Sequence, residues 1–116
     1  MRVWVAGATG TIGSAVVRTL AERGHGVVAL VRRPASFPAG VELRAVDLDG
    51  PILPGDGDRP DAVVSCLASR TGVAADAWAI DHRATVRVLE AARAAGARRA
   101  LLVSALCVQT PRLAFQ

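Results

Sequence analysis

Apolar residues in this chain come in short runs, separated by longer segments in which they recur at every third or fourth position. Arg2–Ala6 (RVWVA), Val27–Val31, Val41–Val46, Ala62–Leu67 and Ala100–Val103 have strand length and are rich in Val, Leu and Ala. Ser14 to Arg23, led by Ile12 and carrying Ala15, Val16 and Leu20, has helical spacing, and Gly24 is placed to end it. Asp76 to Ala95 sets Ala84, Val88, Leu89 and Ala92 on one face of a long helix, and Gly96 closes it. The stretch DGPILPGDGDRP, Asp49 to Pro60, is too broken by Gly, Pro and Asp to hold a long crossover helix.

Strands alternating with helices imply βαβ units and a parallel sheet. Right-handed crossovers then give an α/β fold, a doubly wound, Rossmann-like layered sheet. The predicted sheet breaks off after about five strands, and the 116 residues suit one domain or a piece of one. Aromatic content of 3% against 52% hydrophobic leaves the core to Val, Leu, Ile and Ala, the usual filling of strands buried on both faces. The strand that starts at Ala100 is expected to be buried in this way.

The turn after the first strand carries the chemistry. Gly7-Ala-Thr-Gly10-Thr-Ile-Gly13 has G-x-x-G-x-x-G spacing, with a strand before it and an amphipathic helix after it. Gly7 allows a sharp exit from the strand, Gly10 a close approach of backbone to a diphosphate, and Gly13 a helix packed tightly on the sheet. The helix N-terminus offers free N–H groups and partial positive charge to the phosphates, and Thr9 and Thr11 add hydroxyl donors. About 20 residues on, where NAD-binding folds place a carboxylate on the ribose hydroxyls, the chain has Arg32 and Arg33. A guanidinium matches a 2′-phosphate where a carboxylate repels it, so the cofactor is read as NADPH in preference to NADH. The same two arginines also fit a solvated strand end. Asp47 suits either a hydrogen bond from the adenine amino group or a capped strand end. Because strand C-termini line the ligand crevice in this topology, the segment from Ser65 to Ser69 should border the nicotinamide side. The cofactor-binding set is therefore Gly7, Thr9, Gly10, Thr11, Ile12 and Gly13, then Arg32 and Arg33, Asp47 and Leu48, and Cys66, Leu67 and Ala68.

Charge and cysteine usage narrow the classes. All 14 basic residues are Arg and the net charge is +4, but the arginines are scattered and no aromatic residues interleave with them, which argues against a nucleic-acid partner. The two cysteines, Cys66 and Cys107, lack metal-ligand spacing and read as buried free thiols of a reducing cytoplasm. No His stands at a spacing that would make Cys66 a nucleophile, and His25 and His82 read as surface residues. No run is polar-free for long enough to span a bilayer, and no targeting segment follows Met1. No metal site is expected.

The stretch VAGATGTIGSAVVRTLAERGHGVVALVRR resembles the cofactor half of the atypical and extended short-chain dehydrogenase/reductases, NmrA-like proteins included. SCLASRTG, the W-x-I-D-x-x-A-T pattern of Trp78 to Thr85, and LLVSALCVQTPRLAFQ look like the 8-vinyl reductases of divinyl chlorophyllide. That resemblance implies NADPH-dependent reduction of the 8-vinyl group of 3,8-divinyl (proto)chlorophyllide to ethyl, in chlorophyll or bacteriochlorophyll synthesis. Hydride would add to a conjugated vinyl group and a proton source would complete the reduction. The substrate would be a chlorophyllide-type pigment, with room for peripheral membrane contact, and the setting a bacterial cytoplasm. The resemblance also implies a catalytic role for Ser104, at the position of the active-site serine near the end of the fifth strand. The residues themselves equally allow a strand-end serine that bonds its own backbone. Phe115 stands where the superfamily's tyrosine acid would be, and the family's lysine would fall just past Gln116. The resemblance therefore implies an N-terminal cofactor domain over residues 1–116, to be followed by a lysine-bearing helix and a substrate lobe. A nucleotide-sensing NmrA-like module without turnover is the competing reading, and an extended-family oxidoreductase or epimerase a third.

Overall fold

The structure, a computed structural model, describes residues 1–47, 52, 58–67 and 74–103. The chain runs β1 (Arg2–Ala6), α1 (Thr11–Glu22), β2 (Gly26–Val31), β3 (Glu42–Ala45), β4 (Ala62–Ser65), α2 (Ala74–Asp76), a π-helical stretch (Ala77–Ala84), α3 (Thr85–Ala94) and β5 (Arg99–Leu102). The strands are all parallel and lie in the order β3-β2-β1-β4-β5. This is the doubly wound α/β arrangement that the strand–helix alternation predicts.

Period-two alternation along β1 divides the interior in two. Val3 and Val5 face α1, where they pack with Val17, Val27, Ala29 and Val31. Trp4 and Ala6 face the other way, onto Val28, Leu30, Val63, Ala84 at the end of the π-helical stretch, and the α3 residues Val88 and Ala92. Burial on both faces makes the central strands almost wholly apolar. Removing two carbons from a fully buried Val88 or Val17 would cost about 2 kcal/mol.

One expectation about burial fails at a sheet edge. All four residues of β5 are exposed, with Leu101 and Leu102 58% and 53% accessible, so β5 is not a buried strand. Its two leucines point to opposite faces, and β4 is its only strand neighbour among the described residues. β3, on the other edge, is also largely exposed. β1 matches its apolar run residue for residue, and β2 starts one residue earlier, at Gly26. β3 and β4 are each two residues shorter than their runs, ending at Ala45 and Ser65, and β5 is shifted back by one, to Arg99–Leu102. The first helix starts at Thr11, three residues before Ser14, because Gly10 is already extended (φ −74°, ψ 172°) and caps it. The long helix is not uniformly α: Ala77 to Ala84 is π-helical, with i→i+5 bonding that a 3.6-residue period does not reveal.

Beyond Asp47, the return from β3 to β4 is described at Ile52 and from Asp58 onward. Ile52 and Pro60 are buried, and Ile52 packs among Trp4, Val28 and Leu30. Asp58, its side chain 3% exposed, accepts hydrogen bonds from Arg2 Nε (2.6 Å), Trp4 Nε1 (2.9 Å) and Arg44 Nη1. Glu42 pairs with Arg2 (2.8 Å) and Arg44 (3.5 Å), and the Arg44 guanidinium lies 5.4 Å from the Trp4 ring centre. Asp61 accepts the Arg2 backbone N–H through its carboxylate at 2.8 Å and gives its own N–H to the Arg2 carbonyl at 2.8 Å. Glu42 and Arg44 are in register with Val28 and Leu30, so β3 presents charge to the face that Trp4 shares; Asp58 accepts from the Arg44 cation, and Arg2 and Arg44 pair with Glu42.

Candidate functional site

Every sequence-predicted site residue that the structure describes follows the C-terminal end of a strand or opens the helix after it. Gly7 to Gly13 follow β1, Arg32 and Arg33 follow β2, Asp47 follows β3, and Cys66 and Leu67 follow β4. β1 has β2 on one side and β4 on the other, so the crevice between the ends of β1 and β4 is the point at which the winding of the sheet reverses. Leu48, Ala68 and Ser104 lie outside the described residues, as do Phe115 and Cys107.

The glycine turn is built by close contact. Gly7 has φ +72°, a left-handed conformation, and a β-carbon there would sit 2.6 Å from the carbonyl carbon and oxygen of Cys66. A β-carbon on Gly13 would sit 1.9 Å from the Gly7 carbonyl oxygen. The turn is thus wedged between the backbone leaving β4 and the first turn of α1. The N–H of Gly10 bonds the Gly7 carbonyl (3.2 Å), and the N–H of Ser14 makes the first helical bond, to Gly10 (2.9 Å). The amides of Thr11, Ile12 and Gly13 precede that bond, so the helix itself gives them no acceptor. No side chain caps α1, and no acidic residue lies in its first turn. An uncapped, uncompensated N-terminus facing the crevice is suited to a diphosphate. Ile12 is 55% exposed and Thr11 is exposed beside it, so neither is committed to the core.

The remaining predicted residues differ in what they reach. Arg32 and Arg33 are exposed, and neither takes part in the ion pairs formed among the described residues. Asp47 is exposed at the end of β3. Cys66 is half-buried, its N–H donating to the Ala6 carbonyl (2.9 Å), and burial pushes its thiol up, away from the thiolate a nucleophile needs. Ser65, just before it, has a fully buried hydroxyl without a partner among the described residues. His25 meets the N-terminal amine (3.2 Å), and His82 stands edge-to-face with the exposed Trp78 at 5.2 Å.

One wall of the crevice region was not legible beforehand. A cleft of about 220 Å³ opens between α1 and the segment after β2, lined by Ala8, Thr9, Ser14, Arg18 and residues 35–38. Ser14 and Arg18 are one helical turn apart, and that spacing from the glycine turn was the available signal for Arg18.

A family model described as NAD(P)H-binding matches residues 7–115 of the chain. A curated relative, the divinyl chlorophyllide a 8-vinyl-reductase, chloroplastic, of Oryza sativa subsp. indica, is 43% identical over 139 residues, covering 98% of this chain and 32% of that protein. The chain thus spans about a third of the length of the curated relatives it matches. Among solved structures, a UDP-galactose 4-epimerase is similar over 93% of this chain and 39% of its own, with a TM-score of 0.78 and 29% identity. A short-chain dehydrogenase/reductase superfamily protein from Agrobacterium tumefaciens with bound NAD is similar over 90% and 33%, with a TM-score of 0.70 and 30% identity.

Proposed function

Since this chain belongs to the NAD(P)H-binding family over residues 7–115, we propose that it is the cofactor-binding part of an NADPH-dependent reductase acting on the 8-vinyl group of a divinyl chlorophyllide-type pigment. One observation carries the reading: identity of 43% to a vinyl reductase extends over 98% of the chain, far beyond the glycine turn that many activities share.

The residues present fit a dinucleotide. The amides of Thr11, Ile12 and Gly13 would hold its diphosphate, and Gly7 and Gly13 allow the backbone to close up behind it. Cys66 and Leu67 would border the nicotinamide ribose at the end of β4. The reduced nicotinamide, when bound, supplies a hydride. The chain's own part is to orient that ring and to hold the pigment against it, and Ser104 is proposed to face the reacting centre. Preference for NADPH rests on the absence of a carboxylate after β2 and on the cationic Arg32–Arg33 pair in its place. The pigment is proposed to arrive as a free small molecule or from a membrane surface, and no helix among the described residues is long and apolar enough to cross a bilayer. The rice relative is named chloroplastic, so the bacterial cytoplasm gains no support from it, and a reducing compartment of either kind suits Cys66.

The test is expression of the complete coding sequence in a host that accumulates divinyl pigment, with pigments resolved by chromatography. Conversion of divinyl to monovinyl pigment is the expected result. Tight NADPH binding with unchanged pigment would instead favour the sensor without turnover.

A further inference from the structure

We propose that Arg18 is the residue through which this chain distinguishes a 2′-phosphorylated dinucleotide from an unphosphorylated one. The inference rests on the reading of the glycine turn as a dinucleotide site and adds to it the side chain that makes the direct contact.

The cleft beside the turn has Ala8, Thr9, Ser14 and Arg18 along one side and residues 35–38, with Ser36 and Phe37, along the other. At about 220 Å³ it is smaller than the ~300 Å³ at which pockets begin to enclose a drug-sized ligand, so it suits a portion of a dinucleotide such as a phosphorylated ribose. Its lining holds one cation and no acidic residue. Arg18 has no ion-pair partner among the described residues, unlike Arg2 and Arg44, whose guanidinium groups are taken by Asp58 and Glu42. Ser14 already gives its hydroxyl to the Thr11 carbonyl (3.2 Å), which leaves Thr9 and Ser36 as the hydroxyl donors beside Arg18.

Placement follows from the helix. The diphosphate-suited amides are those of residues 11–13, and Arg18 lies on the turn after Ser14, on the side facing the exit of β2. A ribose leading from a diphosphate at those amides toward the end of β2 would enter the cleft between these two walls. Arg32 and Arg33 do not line the cleft. Their charge reaches the site through solvent and is screened, whereas Arg18 is placed for a bidentate pair with phosphate oxygens.

The experiment measures dissociation constants of NADPH and NADH, by nucleotide fluorescence, for the unmodified chain, R18Q and R18K. The expected result is that R18Q weakens NADPH by about tenfold or more and leaves NADH within about twofold, while R18K recovers part of the loss. Unchanged NADH affinity shows that R18Q is folded. Equal weakening of both nucleotides, or no change in either, overturns the assignment of Arg18 while leaving the dinucleotide site standing. An unmodified chain that binds neither nucleotide overturns the dinucleotide reading itself.

Discussion

Gly13 lies so close to Gly7 that a single added methyl would sit 1.9 Å from the Gly7 carbonyl oxygen. No backbone shift confined to one residue relieves that contact, because Gly7 is itself pressed against the chain leaving β4. Gly13→Ala is therefore expected to destabilise the protein at the upper end of the ~1–3 kcal/mol typical of overpacking, and to abolish nucleotide binding. Thermal unfolding with and without NADPH checks both: the variant should melt earlier and show no shift with nucleotide.

Asp58 supplies a second prediction. Burial alone would push its carboxyl up, but the hydrogen bonds from Arg2 and Arg44, with their charge, hold it below the usual carboxylate range. The same contact with Asp58, then that with Glu42, raises the Arg2 guanidinium above its ordinary value. A carboxylate with a depressed folded-state pKa contributes stability that is present above its unfolded value and lost as pH falls through the folded one. Stability should hold from neutrality down to about pH 4 and decline below it. Asp58→Ala leaves the Trp4 N–H without its acceptor and the Arg2 and Arg44 guanidinium groups with Glu42 alone. It is expected to cost about 2–3 kcal/mol, less than a fully buried pair because Arg2 is part-exposed, and to flatten the acid limb in urea melts across pH.

A third concerns charge at the strand end. Arg32→Asp replaces an exposed cation with an anion near the 2′-phosphate position, so it should weaken NADPH more than NADH by about threefold to tenfold at low salt. Titrations repeated in concentrated salt should erase most of that difference, since the interaction passes through solvent. Equal loss for both nucleotides at low salt would remove Arg32 from cofactor choice.

The exposed edge gives a fourth. Leu101 and Leu102 lie on opposite faces of β5, whose outer side has no strand partner among the described residues. The 116-residue chain should self-associate as its concentration rises, and the double change L101E/L102E should reduce this, as read by sedimentation velocity. Association unaffected by the double change would show that another surface is responsible.

Much of this was legible in the sequence, for identifiable reasons. The central strands announced themselves because burial on both faces demands unbroken Val and Ala runs, as in β1 and β2. The glycine spacing was legible because each of its close contacts forbids a side chain. Asp58 was not, because Asp56, Asp58 and Asp61 look alike in a Gly/Pro/Asp stretch, and only the tertiary approach of Arg2, Trp4 and Arg44 singles one out. Arg18 was one arginine among 14 until the helix turned it toward residues 35–38. Exposure of β5 escaped notice because an apolar run reports what a strand could bury and says nothing about whether a neighbour is there to bury it.

The Asp58 cluster grips the foot of the sheet, where β1 and β4 begin, while the glycine turn stands at its crown, where they end. Acid and nucleotide therefore act on the same fold from opposite poles with no shared side chain. At any fixed pH, protection of the chain by NADPH against acid should follow ligand concentration, as mass action requires, since the side chains that titrate at the foot are not those that hold the nucleotide at the crown.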